Sequence, residues 1–231
     1  MKTVGIVGGI APESTIEYYR LLIKSYRART SDGSYPPIII NSIDLQKMIS
    51  MIAANELTAV TEYLVSEARK LAQAGADFGL FASNTPHLVF DEINRQSPIP
   101  LISIVEATCA AATAQGLRKL GLFGTRFTMQ GHSYPDVFTR AEIAVVSPEA
   151  AEQDYIHDIY MKELVEGIFK DETRARLLQI VDRLKEREGI DGLILGGTEL
   201  PLILHEVDER GIPFLDTTRI HVAAIIAEMF S

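Results

Sequence analysis

Thiols are almost missing from this sequence. Cys109 is the one cysteine among 231 residues, so no intramolecular disulfide framework is available. Positive charge is also short. Lys and Arg number 22 against 31 Asp and Glu, for a net charge of −9. That balance argues against nucleic-acid binding, which needs a basic surface to displace counterions, and against attachment to an acidic membrane face. No apolar stretch reaches the roughly 18–20 residues of a membrane span. The opening MKTVGIVGGIAPEST has a short apolar run broken by glycines and leads into a helix-start pattern, unlike a secretory leader. The cytoplasm is the expected location, and the single thiol agrees with it.

Several catalytic signatures are absent as well. The five histidines are His87, His132, His157, His205 and His221. They form no H-x-x-x-H or H-E-x-x-H pair, and Cys109 has no cysteine partner, so no metal site is expected. There is no G-x-S-x-G elbow and no Walker A segment. The turn Gly8-Gly9-Ile10-Ala11-Pro12-Glu13 departs from the G-x-G-x-x-G order of a dinucleotide site. Cys109 lies in a run of small residues that reads as a helix, which suits a buried structural thiol.

What remains is an alternation of strand and helix signals. Apolar runs at Val4–Val7, Pro37–Ile40, Phe78–Ala82, Leu101–Ile104, Leu120–Phe123, Ile143–Val146, Leu193–Leu195 and Phe214-Leu215 read as strands. Amphipathic segments between them read as helices, including Leu57–Leu71, roughly 150–169, 172–188, Leu200–Arg210 and 218–230. Pro12 and Glu13 sit where helix starts favour them. The pattern predicts an α/β protein with mainly parallel sheets.

The halves of the chain resemble each other. Gly5–Thr15 matches Gly121–Gly131, Phe78–Ile93 matches Asp191–Val207, and Pro98–Ala112 matches Gly211–Ile225, at nearly constant offsets. The repeat predicts two similar Rossmann-like lobes related by a pseudo-two-fold axis, with an active-site cleft between them. Lobe 1 is expected over 1–100 plus 213–231 and lobe 2 over 101–212. Ligands of open α/β sheets bind beyond the carboxyl ends of the strands. The turns after Gly8, Ala82, Gly124 and Gly196 therefore carry the candidate site. Backbone N–H groups at Gly9 suit an anion. Ser83-Asn84-Thr85-Pro86-His87 and Gly197-Thr198-Glu199 follow two buried-looking strands, as ligand loops or as simple helix caps at Thr85 and Thr198. Thr125, Arg126 and Thr128 follow a third, and Arg126 suits a substrate carboxylate.

Taken together, GGIAPEST, SNTPH, GTRFTM, GGTELPL and the Asp216-Thr217 turn resemble the aspartate/glutamate racemase superfamily over nearly the whole chain. The resemblance implies a cofactor-independent (PLP-independent) isomerase of amino-acid metabolism, often a homodimer, that exchanges the α-proton of an amino acid between two cysteines. It carries over Asn84, Thr85, Thr125, Thr128, Thr198 and Glu199 as ligand-binding positions for a small amino or keto acid, to which Gly9 and Arg126 are added on their own chemistry. The two cysteine positions are here Ser83 and Gly197. A thiol can be tuned into a base, a serine needs a base beside it, and glycine supplies no group at all. The two-thiol mechanism is therefore excluded. Three readings stay open: proton exchange using Ser83, His87, Glu199 or a water beside Gly197; a lyase or decarboxylase acting on a related carboxylate; or a non-catalytic carboxylate-binding protein.

Overall fold

Parallel strands buried on both faces read as continuous apolar runs, and this is how the central strands fold. A computed structural model describes residues 1–204 and 210–231. The chain divides into two compact units. Unit 1 comprises Met1–Ser103 and His221–Ser231, and unit 2 comprises Ile104–Ile220.

Unit 1 contains β1 (Val4–Gly8), α1 (Pro12–Arg27), β2 (Ile38–Ser42), α2 (Leu45–Ala53), α3 (Leu57–Gln73), β3 (Phe78–Phe81) and α4 (Phe90–Gln96). Its sheet has the order β2-β1-β3, all parallel. A parallel bridge from Gly79 to Leu101 adds a fourth position beyond β3. Unit 2 contains α5 (Ile104–Ala114), β4 (Lys119–Gly124), α6 (Arg126–Gln130), α7 (Ser133–Thr139), β5 (Ala144–Val146), α8 (Ala150–Lys162), α9 (Asp171–Glu188), β6 (Gly192–Gly196), α10 (Leu200–Ile203) and β7 (Phe214–Asp216). Its parallel sheet has the order β5-β4-β6-β7. The final helix α11 (Thr217–Met229) starts in unit 2 and ends in unit 1. No described helix is long and apolar enough to cross a membrane.

The two sheets share one strand order, and the repeat extends to individual hydrogen bonds. The Asp77 carboxylate accepts from the Thr3 N–H at 2.6 Å, while the Asp191 carboxylate accepts from the Arg118 and Lys119 N–H groups at 2.7 and 3.0 Å. The Gly79 N–H donates to the Pro100 carbonyl as the Leu193 N–H does to that of Pro213. Each aspartate thus clips the start of its unit's central strand. Asp191→Ala, which loses two such bonds, is expected to cost about 1–2 kcal/mol and Asp77→Ala about 1 kcal/mol, read by urea unfolding.

Some expected boundaries move. The return to unit 1 falls at His221 and not at 213, because β7 pairs with β6 and stays in unit 2. The helix expected to run to about Phe169 stops at Lys162 and gives way to a short 3-10 turn that ends at Gly167. The helix expected over Leu200–Arg210 is helical at Leu200–Ile203; residues 205–209 of that expectation, and with them His205, lie outside the described residues. Helices α2, α4, α6 and α7 were not anticipated.

Apolar cores form in each unit. One packs α1 and the end of α11 on β1 and β3, around Tyr18, Leu22, Phe78 and Ile225. In unit 2, one packs α8, α9 and α10 against β4 and β6, and another packs α5 and α7 around Leu122, Phe138 and Ile194. Cys109 belongs to the α5 core, and burial pushes its thiol up, away from the reactive thiolate.

Candidate active site

Every loop singled out by the sequence begins at the carboxyl end of a strand. In unit 1, β1 ends at Gly8. Gly9 follows at φ +81°, and a side chain there would run into the Ile43 carbonyl. Only glycine suits that turn. Its N–H is not free for an anion as expected, because it donates to Thr15 Oγ1 at 2.8 Å. Ser14 donates to the Ala82 carbonyl at 2.8 Å, which ties the start of α1 to the residue before Ser83.

Ser83, Asn84, Thr85 and His87 are all buried. The Ser83 hydroxyl accepts from the Thr85 N–H at 3.4 Å. The 3-10 turn Thr85–Val89 has no side-chain cap, so the helix-cap reading of this loop is not what the structure shows. The His87 ring stacks on Phe90 with centroids 4.5 Å apart and planes 7° from parallel. Burial first, and His221 second, lower its pKa to about 3. A ring held that low is neutral and only a weak base at neutral pH. His221 donates from Nε2 to the Ile102 carbonyl at 3.0 Å, since a carbonyl can only accept. Its Nδ1 then accepts from the Tyr18 hydroxyl at 2.8 Å. Burial lowers its pKa to about 4.

In unit 2, Thr125 caps α6 by accepting from the Thr128 N–H. The two hydroxyls lie 3.2 Å apart. Arg126 turns outward to Asp154 on α8, at 2.9 Å, in an exposed pair. Its backbone N–H donates to His157 Nδ1 at 3.3 Å.

The decisive geometry is at the end of β6. Gly197 follows Gly196, and a Cβ placed on it would overlap the Tyr160 ring edge and come within 3.0 Å of both Cζ and Oη. Tyr160, from α8, thus fills the place where a side chain at 197 would start. Its hydroxyl donates to Glu199 Oε2 in a short hydrogen bond. Thr198 Oγ1 donates to the same oxygen at 2.9 Å, so Thr198 caps no helix. Glu199 is 1% exposed and Tyr160 7%. Burial, and then the charge of Glu199, raise the Tyr160 pKa well above its ordinary value, so the phenol keeps its proton.

Thr217 donates to the Leu195 carbonyl at 2.8 Å and so joins the start of α11 to β6. The described residues contain no cluster of three or more His, Cys, Asp or Glu able to hold a metal.

The structure therefore brings Thr125 to Thr128 and Thr198 to Glu199, and keeps Arg126 on an exposed ion pair. Sequence reasoning missed Tyr160. The available signal was the glycine itself, because an empty position at a buried strand end invites a neighbouring side chain to fill it.

Comparison with known proteins identifies the family of the chain. The Asp/Glu/hydantoin racemase family model matches residues 7–225. A Yersinia pestis protein described as a candidate Asp/Glu racemase superposes with a TM-score of 0.89 at 31% identity, covering 100% of both chains. An aspartate racemase homologue from Pyrococcus horikoshii superposes at 0.84 with 33% identity, again over 100% of both chains. A broad-specificity amino-acid racemase of Bacillus subtilis is 23% identical, over 93% of this chain and 92% of its own length.

Proposed function

We propose that this chain, which belongs to the Asp/Glu/hydantoin racemase family, binds a small amino or keto carboxylic acid at its strand-end loops and handles it without the paired thiols of a two-cysteine racemase. The observation that carries this reading is the contrast at the two strand ends. The polar shell of Asn84, Thr85, Thr125, Thr128 and Thr198 is present and buried, while the thiol positions are Ser83 and Gly197. Buried hydroxyls and an amide at strand ends are the groups that recognise a carboxylate. In this reading the protein works without a cofactor, as a homodimer in the cytoplasm.

Thermal unfolding of the intact protein is the test. Both enantiomers of aspartate and glutamate, with oxaloacetate, 2-oxoglutarate and maleate, form the panel. At a ligand concentration near 100 Kd, binding is expected to add about 2.7 kcal/mol of stability. One or more acids should raise the midpoint in a saturable way. If none of them does, the reading fails.

A further inference from the structure

Position 197 has no side chain, yet its place is occupied. We propose that Tyr160 and Glu199 form the acid/base couple of unit 2, with the phenol in the contact position and the carboxylate as its proton reservoir. This rests on the carboxylate-binding reading above and extends it.

The argument is geometric. Tyr160 Oη lies 3.0 Å from the point where a Cβ at 197 would stand. A thiol at 197 would extend less than about 2 Å further, given an ordinary single-bond reach. The phenol oxygen therefore lies no more than about 5 Å from the place a thiol would work from. Glu199 accepts the proton of that hydroxyl in a hydrogen bond, and Thr198 donates to the same Glu199 oxygen. A free phenolate beside a buried carboxylate would place two negative charges together, and the structure opposes that. A relay avoids it.

In the relay, the C–H bond next to the ligand's carboxylate breaks and its proton passes to Tyr160 Oη. The proton already on Oη passes to Glu199 Oε2. The electron pair stays on the ligand carbon, delocalised into the neighbouring carboxyl or carbonyl group. Reversal returns a proton by the same route, and Glu199 exchanges with solvent in between. The phenol stays neutral before and after, and the negative charge moves from Glu199 to the ligand.

The Ser83–His87 loop of unit 1 holds no phenol–carboxylate couple. Ser83 requires an adjacent base, and the His87 ring is a weak one. A single couple removes and returns the proton from one side of the ligand carbon. One enantiomer should exchange its α-proton with solvent and keep its configuration.

The experiment follows Cα deuteration of L- and D-aspartate and L- and D-glutamate in D2O by NMR, with chiral chromatography of the same samples. In the wild type, deuterium should enter one enantiomer at least tenfold faster than the other enantiomer appears. Tyr160→Phe and Glu199→Gln, each checked for folding by circular dichroism, should each slow exchange by about 10²–10⁴-fold. The double variant should be no slower than either single one, because the two groups act as a unit. The proposal is overturned if either folded single variant exchanges at the wild-type rate, or if racemisation keeps pace with exchange. If an acid stabilises the wild type but no probe exchanges, the relay is wrong and the binding reading stands. If no acid binds at all, the binding reading itself has failed.

Discussion

Gly197→Cys is expected to destabilise the protein by roughly 1–3 kcal/mol, the usual cost of forcing extra atoms into a packed site. At about 2–4 °C per kcal/mol for a chain of this size, the unfolding midpoint should fall by several degrees. The cause is specific. The new Cβ would meet the Tyr160 ring, whose hydroxyl is committed to Glu199. Because both neighbours are buried, neither can swing away into solvent. Tyr160→Ala alone removes a large buried side chain, and a cost of about 3–5 kcal/mol is expected. The two changes fill and empty the same space, so Gly197→Cys with Tyr160→Ala should be more stable than the sum of the single costs by about 1 kcal/mol or more. The functional corollary concerns repair of the thiols. Ser83→Cys with Gly197→Cys should yield no aspartate or glutamate racemisation while Tyr160 is intact. Chemical denaturation of the four proteins in the cycle measures the coupling. Strict additivity would show that Tyr160 does not occupy the space of residue 197.

The second large effect is loss of stability in weak acid. His87 and His221 are buried in unit 1 with pKa values of about 3 and about 4, against 6.5 for a free ring. Both folded values are depressed, so between pH 6.5 and the folded pKa the unfolded chain binds more protons than the folded one. Stability then rises with pH through that window. It is fully present above about pH 6.5 and is lost as the pH falls towards 4 for His221 and 3 for His87. At 1.36 kcal/mol per pH unit, the two rings together should remove roughly 4 kcal/mol between pH 7 and pH 5. His87→Phe keeps an aromatic ring against Phe90 and takes one titrating group away, so it should remove about half of that loss. Urea unfolding at the two pH values checks both statements. A stability that stays flat from pH 7 to pH 5 would contradict them.

The parts of this molecule that follow from local chemistry were legible in the sequence. Buried parallel strands read as apolar runs, which is why the runs Val4–Val7, Phe78–Ala82, Leu120–Phe123 and Leu193–Leu195 could be read as strands directly. The internal repeat was legible because each copy needs the same small residue where its central strand turns. At Gly8 a Cβ would press on Thr15, and at Gly124 on Thr128. Short elements were harder. Helix α7 spans Ser133–Thr139 with Pro135 inside it, and α2 depends on the Asp44 cap, whose carboxylate accepts from the Gln46 N–H at 2.9 Å. Such helices are too brief for a period to show.

The loop positions Ser83, Asn84, Thr85, Thr198 and Glu199 could be named from motifs, but what their side chains touch could not. Glu199 turned inward to Tyr160, and Arg126 turned outward to Asp154. Tyr160 itself sits in a helix whose sequence, Ala-Ala-Glu-Gln-Asp-Tyr-Ile-His-Asp-Ile-Tyr-Met-Lys, reads as an ordinary surface helix. Its place over Gly197 is set by tertiary approach of α8 to the end of β6, which no local pattern encodes.

The central claim is that the strand-end loops carrying Asn84 and Thr198 bind a small carboxylic acid. Isothermal titration tests it most directly, using whichever acid in the thermal panel stabilises the wild type most, on the wild type, Asn84→Ala in unit 1 and Thr198→Ala in unit 2. The account predicts saturable binding at one site per chain in the wild type, weakened about tenfold or more in each variant, in line with about 1.5–3 kcal/mol for a lost hydrogen bond to a charged group. Wild-type affinity retained in either variant would contradict it, because that loop would then not hold the ligand.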